Sequence, residues 1–393
     1  MKPHRILPLL PLLFSVALPS AFAFEPCNDA CQALVREGQA LQAQGRGGEA
    51  YNKFKAASGA SPGAALPASS AAGLMVSMSL AAKPEQAEKL RAGARDMANQ
   101  AARMEPGDPV AMEVLRQLDD PPFPLHEAAP ETAAIRSQAE VLFAQQRYPD
   151  ALKKYEEVMR ADPQYSMAWI GAGDCWFMQK DWARAEAMFR RAGEIEPRNG
   201  QAWRFLADAL AAQGKRDAAE NALLSGIAAD PSQRPSWSKL ASLRASASLP
   251  LKPLQLRRGS HVAQGADGKY QVSVDDWALK APETPDAALR LTLALVEVNR
   301  RNAAAGKPLD AFEVELDAWR TALKVVGELK AKDGKALTDP ALLKMQALAN
   351  DGQLELAILL LAFRQAYRPA LESWSAAHPG GIKAFIDRYG LQP

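Results

Sequence analysis

This sequence is poor in the residues that carry most enzyme chemistry. Its 393 residues hold only 3 cysteines and 4 histidines. Of the histidines, His4 lies in an N-terminal leader and His126 in a proline-rich stretch, while His261 and His378 have no Cys, His or metal-spaced carboxylate beside them. Cys27 and Cys31 have no third or fourth ligand nearby, and Cys175 sits alone in a helical stretch as a small buried residue. No phosphate-cradling glycine loop and no zinc-ligand spacing occurs. Ser236-Trp237-Ser238-Lys239 matches a Ser-x-x-Lys spacing, but no companion motif accompanies it. Asp275-Asp276 reads equally as an ion ligand or a solvated strand end. These absences assign no catalytic residue, no metal and no cofactor, and any enzyme would need an unrecognised active site in the last third of the chain.

An excess of either charge is missing too. With 47 Lys+Arg against 45 Asp+Glu the net charge is +2, and loss of residues 1–23 would remove Lys2 and Arg5 and leave zero. Without a basic field the phosphate backbone offers no driving force, so nucleic acid is excluded as a partner. Beyond the leader no run approaches the ~20 apolar residues that span a bilayer. The most apolar stretch, residues 356–363, closes at Arg364.

The leader itself has a positive head (Lys2, His4, Arg5), an apolar run over residues 6–18 and a small-x-small sequence, Ala21-Phe22-Ala23. That order is expected of a cleavable signal peptide covering residues 1–23 and of a periplasmic or secreted protein with no membrane insertion after cleavage. Such a compartment permits a disulfide between Cys27 and Cys31. On a regular helix their Cα separation would be near the upper limit for a bond, so bonding requires a distorted turn; both states stay open.

What the sequence does have is a period. Pro163, Pro197 and Pro231 each follow an acid and are 34 residues apart. The same step links Ala151, Ala185 and Ala219; Tyr155, Phe189 and Leu223; Ile135, Trp169, Trp203 and Trp237; and Ala139, Gly173, Ala207 and Ala241. Small residues let two helices cross closely, large ones fill the space between pairs, and proline ends the second helix. The period and these residue types resemble the tetratricopeptide repeat family, with three copies at 132–165, 166–199 and 200–233 and a fourth first helix near 235–247. Another copy stands at the mature N-terminus on Gly38, Gly45, Ala50, Phe54, Ala57 and Pro62. A looser pair ends at Pro106 with about ten extra residues, expected in the loop at 81–84. The fold class expected is all-α: an α-solenoid of about five helical hairpins and a mostly helical C-terminal domain with a small β-hairpin. The expected divisions are 24–118 (N-terminal pairs), 119–131 (proline-rich linker), 132–247 (repeats) and 248–393 (C-terminal domain).

The resemblance implies a concave face lined by the first helices. Steps of 34 along them give Arg136, Ile170 and Arg204, then Glu140, Asp174 and Asp208, and one turn on Phe143 and Phe177 with Met178. This is a ladder of acids beside apolar residues. It fits a neutral or basic partner segment with apolar anchors, Phe143, Phe177 and Met178 forming its pocket. The competing reading is a solvated face of local ion pairs, Arg136 with Glu140 and Arg204 with Asp208, each worth only a few tenths of a kcal/mol. Some members of the family clamp a C-terminal carboxylate with Lys and Asn here; acids in those places argue against that mode.

After residue 246 the period stops. Residues 262–274 read as a hairpin turning at Gly265-Ala266-Asp267-Gly268, and helices are expected near 284–303, 308–330, 339–349, 352–375 and 380–389. Phe312, Leu316, Trp319, Leu323 and Val326 share one face and are expected to be core. The function expected is that of an exported adaptor or assembly factor for envelope or secreted proteins. The alternatives are an enzyme in the C-terminal domain and a purely structural scaffold.

Overall fold

A computed structural model describes residues 25–80, 82–105, 108–120, 125–264, 269–274, 278, 281, 283–304 and 307–393. The leader, the 265–268 turn and Asp275-Asp276 lie outside the described residues. The chain divides into two compact units, meeting in sequence at residues 121 and 122.

The first unit consists of α1 (Asp29–Ala43), α2 (Gly47–Ala60), α3 (Ala65–Leu80), α4 (Pro84–Met104) and α5 (Pro109–Asp119). Gly38 on α1 faces Phe54 on α2 so closely that a Cβ there would lie 2.5 Å from the ring. Cys27 and Cys31 are disulfide-bonded, with Cα atoms 5.4 Å apart. The bond is accommodated because Cys27 precedes the helix: Asn28 between them is extended (ψ 173°) and caps α1 by accepting from the Cys31 N–H at 2.9 Å. Asn28 also donates from its amide to the Ala60 carbonyl at 2.8 Å, tying the start of α1 to the end of α2. The extra residues expected at 81–84 are instead helical, since α4 runs for 21 residues. Ala87, Ala94, Ala98 and Ala101 are all buried along it, so the apolar stripe continues unbroken and extends the helix rather than the loop.

The second unit opens with the pairs α6 (Pro130–Ala144) and α7 (Tyr148–Ala161), α8 (Ser166–Met178) and α9 (Trp182–Ile195), α10 (Gly200–Ala212) and α11 (Arg216–Ala229), then α12 (Arg234–Ala245). The recurring positions have physical counterparts. The indoles of Trp169, Trp203 and Trp237 donate to the carbonyls of Pro163, Pro197 and Pro231 at 3.1, 2.7 and 2.9 Å, locking each first helix to the turn before it. Gly173 faces Phe189 as Gly38 faces Phe54. Within each pair the turn needs a left-handed residue, supplied by Gln146 (φ 60°), Lys180 (φ 62°) and Gly214 (φ 75°).

The remainder is β1 (Lys252–Pro253), β2 (Ser260–Gln264), β3 (Tyr270–Val274), α13 (Pro285–Ala304), α14 (Ala311–Asp333), α15 (Pro340–Asn350), α16 (Leu354–Leu361), a 3₁₀ turn (Gln365–Tyr367), α17 (Arg368–Ala377), α18 (Gly381–Tyr389) and β4 (Leu391–Gln392). β2 and β3 form the expected antiparallel hairpin, while β1 and β4 pair in parallel, Lys252 opposite Leu391. The single helix expected over 352–375 is two, α16 and α17, because Pro369 sits in the first turn of a new helix. Phe312, Leu316, Trp319 and Val326 are buried as expected, with Leu323 at their margin.

The end of the period at residue 247 is not an end of the core. One apolar cluster runs from Ile170 through Leu206, Leu223 and Trp237 to Trp319, Leu359 and Leu391. α17 and α18 pack on α11, and buried charges seal the join. Arg244 donates to Glu220 and to Asp387 on α18, the latter at 2.8 Å, and Arg368 donates to the Ala229 carbonyl. Arg258 likewise joins Glu297 on α13 (2.7 Å) to Glu315 on α14. Burial opposes ionisation of Glu315, but Arg258 and Arg364 outweigh it and hold the carboxyl below its usual range.

Candidate partner-binding surface

In the repeat stack the first helices α6, α8, α10 and α12 touch one another in series. They therefore line the tighter, inner side, while α17 and α18 cover α11, a second helix.

On that inner side the nine candidate residues divide. Arg136 donates to the Tyr165 hydroxyl at 2.7 Å and lies 3.4 Å from Glu140, so the first local ion pair forms. The second does not. Arg204 turns to Ser236 Oγ at 3.4 Å, and burial pulls its pKa down, while Asp208 accepts from Lys239 on α12. Lys239 is not among the sequence candidates. Its signal is faint, because it stands one residue off the 34-residue ladder.

Ile170 is a correction. It is 2% exposed and belongs to the core cluster, an apolar side chain drawn out of water where Arg136 and Arg204, at the same repeat position, stay partly exposed. It offers no surface to a partner. Its consequence falls on Asp174, one turn further along α8. Asp174 is half-buried, and among the described residues no hydrogen bond or ion pair reaches its carboxylate. Burial first, and then the Asp208 charge, push it up to about 7.

The expected apolar pocket is corrected as well. Phe143 packs edge-on against Tyr148 at 5.3 Å and Phe177 against Trp182 at 4.7 Å, each ring lying on the second helix of its own pair. The two rings belong to separate cores. Met178, 52% exposed, remains the apolar anchor open to solvent beside Asp174.

Ser236 is fully buried and Lys239 is held by Asp208. His126 meets Asp162 at 2.8 Å, His378 stacks on Trp374, and His261 lies in β2. Among the described residues there is no group of three metal-ligating side chains, and no helix long and apolar enough to cross a membrane.

Two family models described as tetratricopeptide repeat match residues 136–195 and 177–243. A curated protein, the general transcriptional corepressor ssn6 of Schizosaccharomyces pombe, is 26% identical over 100 residues, 25% of this chain and 9% of that protein. The chain thus spans a small part of that relative's length. Among solved structures, the first TPR of Spaghetti (RPAP3) bound to HSP90 peptide SRMEEVD aligns with TM-score 0.28 at 18% identity, over 32% of this chain and 99% of that one. The thermophilic TPR protein TTC0263 of Thermus thermophilus aligns with TM-score 0.26 at 19% identity, over 55% and 100%.

Proposed function

From the premise that this is a tetratricopeptide-repeat protein, its matched repeats lying within residues 136–243, we propose that it is a non-enzymatic adaptor or assembly factor. It binds a segment of another protein on the inner face of the repeats. The repeat fold itself is a protein-interaction scaffold. The observation that carries the finer reading is Asp174, an uncompensated carboxylate next to the exposed Met178. A half-buried charge without a counter-charge is unfavourable in the free protein. A basic side chain from a partner would remove that penalty, and a neighbouring apolar group would cover Met178.

The compartment we propose is the periplasm or the extracellular space, with envelope or secreted proteins as clients. The leader order and the Cys27–Cys31 bond both support it. N-terminal sequencing of the protein from its producing cells is expected to give a mature chain starting at Phe24; a retained Met1 would contradict export by cleavage.

The binding reading is tested by affinity capture from the exported fraction with the chain lacking residues 1–23, followed by mass spectrometry. Wild type should enrich one partner or a small set, and Asp174→Lys should lose it with its circular dichroism unchanged. Equal capture by both proteins would place the surface elsewhere.

A further inference from the structure

The three carboxylates of the inner face are not equivalent. Glu140 has Arg136 on its own helix, and Asp208 has Lys239 on the next first helix. Asp174 lies between them with neither, since Ile170 stands where Arg136 and Arg204 stand in the flanking pairs. The charged group that acts on it is Asp208 on α10, a like charge. The arginines of the flanking first helices are engaged elsewhere, Arg204 with Ser236 and Arg136 with Tyr165 and Glu140. Tyr155 on α7 and Cys175 on its own helix are neutral, burial holding both above their usual ranges. Both effects that raise a carboxyl pKa, lost hydration and a neighbouring anion, therefore act on Asp174 together, and they push it up to about 7.

We propose that Asp174, half-buried and without the cation that Glu140 and Asp208 each have, is a proton-operated charge switch on the inner face, which a cationic side chain of the partner holds in its ionised form. The partner clause rests on the inner face being the binding surface. The switch itself belongs to the free chain and is measurable without a partner. When the cation is seated, the Asp174 O–H bond breaks, its proton passes to solvent, and the carboxylate pairs with the ammonium or guanidinium group. Binding is therefore tighter above neutrality than in mild acid. The effect on folding has the opposite sense. The folded chain keeps a proton that the unfolded chain has lost over the window from about 4 to about 7, so stability falls as pH rises through it and stays at its lower value above it.

The test is a carboxyl ¹³C titration of the full chain labelled at aspartate, with the Asp174 resonance assigned by its loss in Asp174→Asn. We expect a midpoint near neutrality that moves down in Asp208→Asn. Thermal melts run beside it should show wild type losing Tm relative to Asp174→Asn between pH 5 and pH 8. A midpoint in the ordinary aspartate range near 4, with parallel melting profiles, would overturn the switch and leave the adaptor reading standing. A midpoint near neutrality in a protein that captures no partner would sustain the switch and remove the adaptor reading.

Discussion

Gly173 has no side chain because Phe189 already fills the space: a Cβ would fall 2.5 Å from a ring that is itself buried. The chain repeats the solution with Gly38 and Phe54, and varies it where the large residue differs, placing Ala207 in register with Leu223. Gly173→Ala is therefore expected to destabilise the second unit by about 1–2 kcal/mol, overpacking outweighing the helix-propensity gain of alanine. Adding Phe189→Leu, which copies the next repeat, should restore most of that loss. Urea denaturation of the two single variants and the double variant gives the coupling, and strict additivity would mean the two positions are not in contact. These positions are legible in the sequence because they recur. Ion-pair choices are not: the spacing of Arg204 and Asp208 suits a local pair, yet the acid goes to Lys239, on a helix 31 residues away. Burial of Ile170 is hidden for a similar reason, since its repeat position is partly exposed at Arg136 and Arg204 and the period alone does not separate them.

At the scale of elements, turn chemistry marks the repeats more finely than their hydrophobic pattern does. Gly45 and Gly214 adopt the left-handed conformation without penalty, while Gln146 and Lys180 hold it at φ 60° and 62° against the crowding of their Cβ atoms. Lys180→Gly should accordingly stabilise the second unit by up to about 1 kcal/mol, the relief being partly offset by the greater freedom of glycine in the unfolded chain. A lower urea midpoint for this variant would show that the lysine makes compensating contacts. Most helix ends are readable from their prolines and caps. The two exceptions follow from context: α4 absorbs the residues expected in a loop because its alanine stripe runs on, and the helix expected over 352–375 breaks where Pro369 starts a new first turn.

In the molecule as a whole, the period separates the repeats from the C-terminal residues in sequence, but the core does not separate them in space. Glu220, Arg244 and Arg368 look like solvated charges in the sequence. In the fold they are buried against partners from both sides of that boundary, a pairing no local pattern could announce. Removing a partner from such a buried pair costs about 3–5 kcal/mol. A chain ending at Ser246 strips Asp387 from Arg244 and Arg368 from Asp230, and also uncovers α11. It should therefore melt far below the full chain or fail to fold, and equal stability would mean that residues 248–393 are an independent domain. α17 and α18 cover one side of α11, and the partner surface we propose is the inner face around Asp174 and Met178. The most direct measurement is site-specific photo-crosslinking in the producing cells, with the photoreactive residue placed at Met178 or, as a control, at the exposed Lys153 on α7. The account predicts a discrete crosslinked protein from position 178 and none from 153. The same product from 153, with nothing from 178, would contradict it.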